Sequence, residues 1–323
     1  MPHSKLISGV RAGERRALAK AITLVESKSP RDLPLATEVL DAILPFSGQA
    51  MRIGISGSPG VGKSTLIEAL GLHLIAQGKK VAVLAVDPSS PVSKGSVLGD
   101  KTRMPRLSLE ASAFVRPSPS GGLLGGVARQ TREAMLLCEA AGFDVVLVET
   151  VGVGQSEFAV AAMVDTFVLL MQPGAGDELQ GVKKGVLELA DMVVVTKADG
   201  QLLPLAKEAQ KAYARALSLL RRSENAWKVP VLTVSSPSET GIAALWEAIQ
   251  SHQELLRKSD ELEKRRQDQA QNWFWSIVGQ ELLERFRQDV HVRKKLPGLL
   301  DDMRVGKISV SHAVQKALKT TST

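Results

Sequence analysis

The chain has 323 residues, of which 44% are hydrophobic, 23% charged and 4% aromatic, and its formal net charge is +7. This composition excludes collagen-like and disordered proteins and is typical of a globular protein with a sizeable core. Basic residues alternate with acidic ones and aromatic residues are few, which argues against a nucleic-acid partner. The single cysteine, Cys138, excludes an internal disulfide and a cysteine-based zinc site.

The N-terminal 48 residues have a helical pattern. Apolar residues recur at steps of three and four over 6–25, with a break near Gly13. A second helix is predicted after Asp32, ending at Pro45. We expect a helical extension here.

The same N-terminal segment also indicates in which cellular compartment the protein is expected. It is rich in arginine, but Glu14 and Glu26 interrupt it and it lacks the apolar centre of a secretion signal. No apolar run approaches the roughly 20 residues that a membrane span needs. A cytoplasmic location without membrane association is therefore expected.

From Met51 onwards, short apolar runs alternate with helical stretches. The runs are RIGIS (52–56), VAVLAV (81–86), VVLVE (145–149), TFVLLM (166–171), MVVVT (192–196) and VPVLTVS (229–235). Continuous apolar runs indicate strands covered on both faces. The predicted fold class is α/β, with a mostly parallel, doubly wound sheet between helical extensions at both ends.

The region after Trp246 is helical. A charge-dense stretch, 253–269, precedes an aromatic stripe from Trp273 to Phe286. The stripe packs either against a second copy of the chain or against the chain's own N-terminal helices, because an amphipathic pattern does not identify its partner. Pro297 and the following glycine are predicted to break the chain before a last short helix.

These patterns predict three parts. Residues 1–48 form an N-terminal helical extension, residues 49–252 a P-loop domain, and residues 253–323 a C-terminal helical dimerisation region.

A phosphate-binding loop follows the first predicted strand. Its residues match G-x-x-x-x-G-K-[ST] and are Gly57, Ser58, Pro59, Gly60, Val61, Gly62, Lys63 and Ser64, with Thr65 next in the helix. The glycines let backbone N–H groups point at the β-phosphate, and the helix N-terminus adds a positive dipole. Lys63 is expected to reach the β- and γ-phosphates, and the Ser64 hydroxyl to bind Mg²⁺.

Three carboxylates follow predicted strands. Asp87 ends the second strand, Asp100 lies in the loop after it, and Glu149 ends the strand at 145–149. The carboxyl ends of parallel strands face one crevice, so these side chains are expected to hold Mg²⁺ directly or through water.

A base-recognition loop is predicted at Thr196-Lys197-Ala198-Asp199, which ends like the N-K-x-D motif. Asp199 can accept from N1–H and the exocyclic amine of guanine, which selects GTP over ATP, and Lys197 is expected to lie along the base. Thr196 replaces the usual asparagine and makes only part of its contacts. Ser235 and Ser236 fit the loop that closes over the base.

The order of long motifs resembles the MeaB/ArgK/MMAA-type GTPases over nearly the whole chain. The motifs are the phosphate loop, VDPSS (86–90), GDKTRM (99–104), RPSPSGG (116–122), ETVGVGQSE (149–157), PGAGDELQGVKKG (173–185) and TKADG (196–200). The resemblance implies that Glu149 replaces the aspartate of the GTPase D-x-x-G motif and acts with Lys63 in catalysis. It also matches Ser64, Asp87 and Asp100 to magnesium positions.

The resemblance further implies a homodimer and an adenosylcobalamin-dependent acyl-CoA mutase, such as methylmalonyl-CoA mutase, as partner. GTP binding and hydrolysis would be coupled to loading, protection or repair of the mutase, and adenosylcobalamin would belong to the partner. The segment 172–183, with Asp177, Glu178 and Lys183, would be the switch that responds to nucleotide and partner.

Two other function classes use the same phosphate loop. A nickel-delivering GTPase needs clustered metal ligands, whereas the five histidines are far apart in sequence. A kinase of a small molecule or protein would not need Asp199. Free phosphate as product supports a GTPase, and a phosphorylated acceptor supports a kinase.

Overall fold

The computed structural model describes residues 3–27, 29–87, 104–119, 124–150, 156–174, 184–220 and 227–320. The chain divides into two compact units, Met1–Gln269 and Ala270–Thr323. The first unit contains the sheet and the N-terminal helices, and the second contains C-terminal helices.

Among the residues that the structure describes, seven strands form the sheet. They are β1 (Met51–Gly57), β2 (Val81–Asp87), β3 (Ala113–Pro119), β4 (Val145–Thr150), β5 (Thr166–Met171), β6 (Met192–Val195) and β7 (Val231–Thr233). Their order is β3-β2-β4-β1-β5-β6-β7, and each neighbouring pair is parallel. The predicted α/β class with a parallel sheet is confirmed.

Helices precede, connect and follow the strands. In the first unit they are α1 (His3–Arg11), α2 (Arg15–Val25), α3 (Leu33–Ile43), α4 (Lys63–Ala76), α5 (Pro105–Leu109), α6 (Leu124–Ala140), α7 (Ser156–Ala161), α8 (Lys184–Leu189), α9 (Leu203–Leu220) and α10 (Ile242–Lys258). Helix α11 (Glu261–Gln288) begins in the first unit, and α12 (Val290–Arg304) and α13 (Val310–Leu318) lie in the second. The predicted break near Gly13 separates α1 from α2.

Both faces of the sheet are buried, which explains the continuous apolar runs. In β2, Val81 and Val83 belong to one apolar cluster, whereas Ala82 and Leu84 belong to the other. The first cluster contains α4 and α10, and the second contains α1 to α3 and α6. Burial on both faces requires apolar residues at every position of a central strand.

Strand β3 was not among the predicted runs. Arg116, Pro117 and Pro119 interrupt its apolar pattern. The strand lies at one edge of the sheet, where proline is tolerated because one side of an edge strand needs no ladder hydrogen bonds.

The predicted break at Pro297 is wrong, because α12 continues through it. The side chain of Asp289 caps the start of α12 by accepting from the backbone N–H groups of His291 and Val292. Pro297 removes one intrahelical bond, and both Pro297 and Arg293 are exposed. Water can therefore bind the carbonyl of Arg293 that Pro297 leaves unbonded.

Candidate nucleotide-binding site

The phosphate loop connects the end of β1 to the start of α4. Gly57 lies so close to β5 that a Cβ atom there would be 2.6 Å from the carbonyl oxygen of Leu170, and its φ is +156°. Gly62 has a φ of +100° and directly precedes α4. These positions require glycine because a side chain would be strained at either φ and would clash at Gly57. Gly57 and Gly62 therefore give the loop a backbone conformation that other residues could not adopt without strain.

Lys63 lies over this loop. Its Nζ atom donates hydrogen bonds to the carbonyl oxygens of Gly57 at 2.8 Å and Ser58 at 3.0 Å. The residue is only 8% exposed. The ammonium group and the N-terminus of α4 thus converge on the loop, and both favour a bound anion.

Ser64 and Glu149 meet beside the loop. The Ser64 hydroxyl donates to Oε1 of Glu149 at 2.8 Å. The pairing of β1 with β4 brings them together, since Ile55 is in register with Glu149. The structure therefore places a hydroxyl and a carboxylate, two oxygen ligands of the kind that Mg²⁺ prefers, at one point.

Asp87 ends β2, the strand on the other side of β4. Ala85 is in register with Glu149, so the backbone of Asp87 reaches the same edge of the sheet. The side chain of Asp87 lies outside the described residues, as does all of Asp100.

The base-recognition loop begins where β6 ends. The N–H of Ala198 donates to the carbonyl of Val234 at 3.1 Å, which joins this loop to the segment after β7. Lys197 has a φ of +54°. A residue other than glycine in this region is strained, and such strain concentrates at functional sites.

Ser235 orients the carboxylate of Asp199. The Ser235 hydroxyl donates to Oδ2 of Asp199, and Ser235 is 1% exposed. Its backbone N–H donates to the carbonyl of Thr240 at 3.0 Å, which closes a turn that contains Ser236. An ionised carboxylate has about four acceptor positions, so one oriented in this way can still accept from guanine.

Comparison with known proteins identifies the family. Residues 18–291 match the family described as methylmalonyl Co-A mutase-associated GTPase MeaB. The chain belongs to the MeaB family of P-loop GTPases. It is 51% identical to the GTPase ArgK of Escherichia coli over 277 residues, covering 86% of this chain and 84% of that protein.

Eukaryotic relatives and a solved structure agree with this assignment. A mouse protein named methylmalonic aciduria type A homolog, mitochondrial, is 46% identical over 325 residues, which is 98% of this chain and 78% of the mouse protein. A crystal structure described as LAO/AO transport system kinase superposes with a TM-score of 0.80 at 39% identity, covering 98% of this chain and 96% of that one. The predicted family and GTPase class are confirmed.

Two contacts in this MeaB-family site were not predicted. The Thr196 hydroxyl donates to the carbonyl of Val61 at 2.6 Å, and the hydroxyls of Ser56 and Thr150 are 2.8 Å apart. Each joins segments that are distant in the sequence. The one sequence signal for these contacts is that Thr196 occupies the first position of the base motif. That position predicted a contact with the base and not with the phosphate loop.

The predicted switch residues Asp177, Glu178 and Lys183 lie outside the described residues. Among the helices that the structure does describe, none is both long enough and apolar enough to cross a bilayer.

Proposed function

We propose that this chain is a GTP-hydrolysing chaperone of an adenosylcobalamin-dependent acyl-CoA mutase, such as methylmalonyl-CoA mutase. GTP binding and hydrolysis drive loading, protection or repair of the mutase, and adenosylcobalamin is bound by the mutase. The family description and the names of the relatives support the partner. A cytoplasmic location is part of the proposal.

The proposal that the chain binds a nucleotide rests on one observation: the predicted phosphate, metal and base residues lie at the same edge of the sheet. The phosphate loop at the end of β1, Glu149 near the end of β4 and Asp199 after β6 all lie at carboxyl ends of parallel strands. Open α/β sheets bind ligands in the crevice at this edge. One nucleotide spanning this crevice would place its phosphates on the loop and its base beside Asp199.

Mg²⁺ fits the residues beside the phosphate loop. Ser64 and Glu149 offer a hydroxyl and a carboxylate, and these are hard oxygen ligands. With the predicted contributions of Asp87 and Asp100, they would hold the ion directly or through its waters. When bound, Mg²⁺ neutralises charge on the β- and γ-phosphates.

The chain's own groups then act by position and charge. Loop N–H groups bind the β-phosphate, and Lys63 moves from the carbonyls of Gly57 and Ser58 to phosphate oxygens. In place of its hydrogen bond with Ser64, Glu149 would hold the ion directly or through its waters. Asp199 accepts hydrogen bonds from guanine, and Lys197 lies along the base. The turn that contains Ser236 closes over the base.

We also propose that the second compact unit forms a homodimer. On α11, the exposed side chains of Phe274 and Trp275 pack edge to face with their ring centroids 5.3 Å apart. Within the same unit, α11, α12 and α13 line an apolar groove of about 860 Å³. Exposed apolar surface of this extent marks an interaction site, and the aromatic stripe predicted a second copy as one of two partners.

The test is GTP hydrolysis with and without purified methylmalonyl-CoA mutase. We expect slow basal release of free phosphate, a faster rate with the mutase, and GTP-dependent transfer of adenosylcobalamin to apo-mutase. Lys63→Ala should abolish tight nucleotide binding, whereas Lys79→Ala, an exposed lysine after α4, should not.

Three results would contradict the proposal. A phosphorylated acceptor in place of free phosphate would indicate a kinase. GTP affinity in the Lys63→Ala protein equal to that of wild type would contradict the site. A hydrolysis rate that does not respond to the mutase, together with transfer of adenosylcobalamin that does not depend on GTP, would contradict the chaperone role.

A further inference from the structure

Helix α5 packs on α4, the helix that follows the phosphate loop. Met104, which directly precedes α5, and Leu107 within it are both 0% exposed and belong to the apolar cluster that contains α4. Leu107 lies over Gly71 of α4, where a Cβ atom would be 2.8 Å from both Cδ atoms of Leu107. Because Gly71 has no side chain, α5 can approach α4 closely.

Glu68 of α4 caps the start of α5. Its Oε1 atom accepts hydrogen bonds from the backbone N–H groups of Arg106 at 2.8 Å and Leu107 at 3.3 Å. The first N–H groups of a helix have no partner within the helix, and the side chain of the residue before it commonly supplies one. Met104 occupies that position and makes no side-chain cap. Glu68 therefore supplies the cap from a segment 38 positions away.

The short helix α5 depends on contacts with its neighbours. Its five residues are too few to be helical alone in water. After α5 the chain continues into β3, which pairs with β2 and fixes that end. The side chain of Arg106 lies 3.9 Å from Glu239, but both are exposed, and such a pair contributes little. The start of α5 is therefore held mainly by the cap from Glu68 and the packing of Leu107.

This cap lies on the same face of α4 as the candidate magnesium residues. Glu68 follows Ser64 by four positions, so the two side chains are neighbours on the helix surface, about one turn or 5.4 Å apart along the axis. Ser64 donates to Glu149, and this pair fits Mg²⁺. The start of α5 is therefore fixed close to the residues that would hold the ion.

The chain that enters α5 contains the predicted magnesium residue Asp100. Asp100 lies outside the described residues and precedes Met104 by four positions. One residue spans at most about 3.6 Å, so an anchored Met104 confines Asp100 to within about 14 Å of it. A carboxylate that is confined near its metal site loses less conformational entropy when the ion binds.

We propose that Glu68 is a positioning residue for Mg²⁺, because its cap on α5 holds the chain next to Asp100 close to Ser64 and Glu149. Its Oε1 atom is bonded to two backbone N–H groups, so Glu68 acts through α5 and not as a metal ligand. This inference rests on the proposed nucleotide and magnesium site.

The test is the Mg²⁺ concentration that half-maximally slows dissociation of GDP. Glu68→Ala removes the acceptor and should raise this concentration about fivefold, the factor expected for a lost helix cap. Glu68→Gln keeps an amide oxygen that can accept from the same N–H groups and should stay within about twofold of wild type. GDP affinity in EDTA should be the same in all three proteins, because the phosphate loop and the base loop are unchanged.

Two further variants separate the cap from other effects. Arg106→Ala is the matched control, since it removes the exposed pair with Glu239 but keeps the backbone N–H that Glu68 binds. Its Mg²⁺ requirement should equal that of wild type. Leu107→Ala loosens α5 from α4 without changing Glu68 and should raise the Mg²⁺ requirement, which keeps the test decisive if Glu68→Ala does not fold.

A wild-type Mg²⁺ requirement in Glu68→Ala would overturn the inference, as would an equal loss of GDP affinity with and without Mg²⁺, or no rescue by glutamine. Failure of the wild-type protein to bind GDP or GTP would instead overturn the proposed nucleotide site. Hydrolysis that does not respond to the mutase would overturn the chaperone proposal alone, because the Mg²⁺ requirement is measured without the mutase.

Discussion

Arg266 and Asp165 form a two-point salt bridge at the edge of the sheet opposite the phosphate loop. Nε of Arg266 lies 2.8 Å from Oδ1 of Asp165, and Nη2 lies 2.6 Å from Oδ2. The side chain of Asp165 is 0% exposed and that of Arg266 is 17% exposed. Burial alone would lower the pKa of Arg266, but its hydrogen bonds with Asp165 and the charge of that residue outweigh burial and raise it.

Removing one partner of this pair should destabilise the first compact unit. Arg266→Met leaves a carboxylate buried without its cation, and the free energy of unfolding should fall by roughly 3 kcal/mol. The change should appear in urea unfolding followed by circular dichroism. Lys258→Met is the matched control, since it breaks an exposed pair with Glu254 whose loss costs under about 1 kcal/mol. Equal effects of the two changes would contradict the prediction.

Glu133 makes stability depend on pH. Burial raises the pKa of its carboxyl group above 4.5, although the guanidinium of Arg129, 2.9 Å away, acts in the opposite direction. The folded protein therefore holds this proton to higher pH than the unfolded chain does. The stabilisation is complete below pH 4.5 and is lost as the pH rises through the raised pKa.

Glu133→Gln should remove this dependence. The unfolding free energy of wild type minus that of Glu133→Gln should decrease as the pH increases from below 4.5, measured by urea unfolding at several pH values. Glu254→Gln, an exposed carboxylate on α10, serves as control. A difference that is constant or increases with pH would show that burial of Glu133 does not control its protonation.

The sequence predicted those parts of the fold and site whose pattern lies within a short stretch of the chain. The central strands were predicted within one residue at each end because burial on both faces makes every residue apolar. The phosphate loop was predicted because its spacing is short and follows a strand. The edge strand β3 was missed, since an edge tolerates the arginine and prolines that hide its pattern.

Contacts between distant segments could not be predicted in this way. Thr196 and Val61 are 135 positions apart, and Ser235 and Asp199 are 36 apart. The folded sheet brings each pair together, and no periodicity records the pairing. Arg265 and Arg266 likewise belong to a charge-dense stretch, yet both bind carboxylates near the sheet.

Base selection should depend on Asp199. Asp199→Asn replaces one carboxylate oxygen, an acceptor, with an amide NH₂ group, a donor. Because guanine presents two donors here, N1–H and its exocyclic amine, the change should cost about 1–3 kcal/mol in GTP binding. The ratio of ATP to GTP affinity, measured by titration calorimetry, should move towards one. Xanthosine triphosphate, with a carbonyl where guanine has its amine, should bind the variant better than wild type. Equal ATP and GTP affinities in wild type would contradict this assignment.

The proposed dimer should depend on the aromatic stripe of α11. Trp275→Glu combined with Ile277→Glu places charges on an apolar surface, and the protein should become monomeric by light scattering at micromolar concentration. GTP affinity should be retained, because the nucleotide residues lie in the first compact unit. Gln271→Glu, an exposed change on the same helix, should leave the dimer intact. A wild-type mass equal to one chain would contradict the prediction.

Coupling to the mutase should depend on the predicted switch, residues 172–183. A ligand shifts an equilibrium between two states only if it interacts differently with them. A switch must therefore make different contacts in the GTP-bound state and in the GDP-bound state. Reciprocity then requires that a mutase which raises GTP affinity binds more tightly when GTP is present. Asp177→Ala and Lys183→Ala should leave basal GTP binding and hydrolysis nearly unchanged but reduce the mutase-stimulated rate, and both should weaken the GTP-dependent increase in mutase affinity. Lys207→Ala, an exposed change on α9, should reduce neither. Wild-type stimulation in both switch variants would remove this segment from the mechanism, because coupling that persists without these charges does not depend on them.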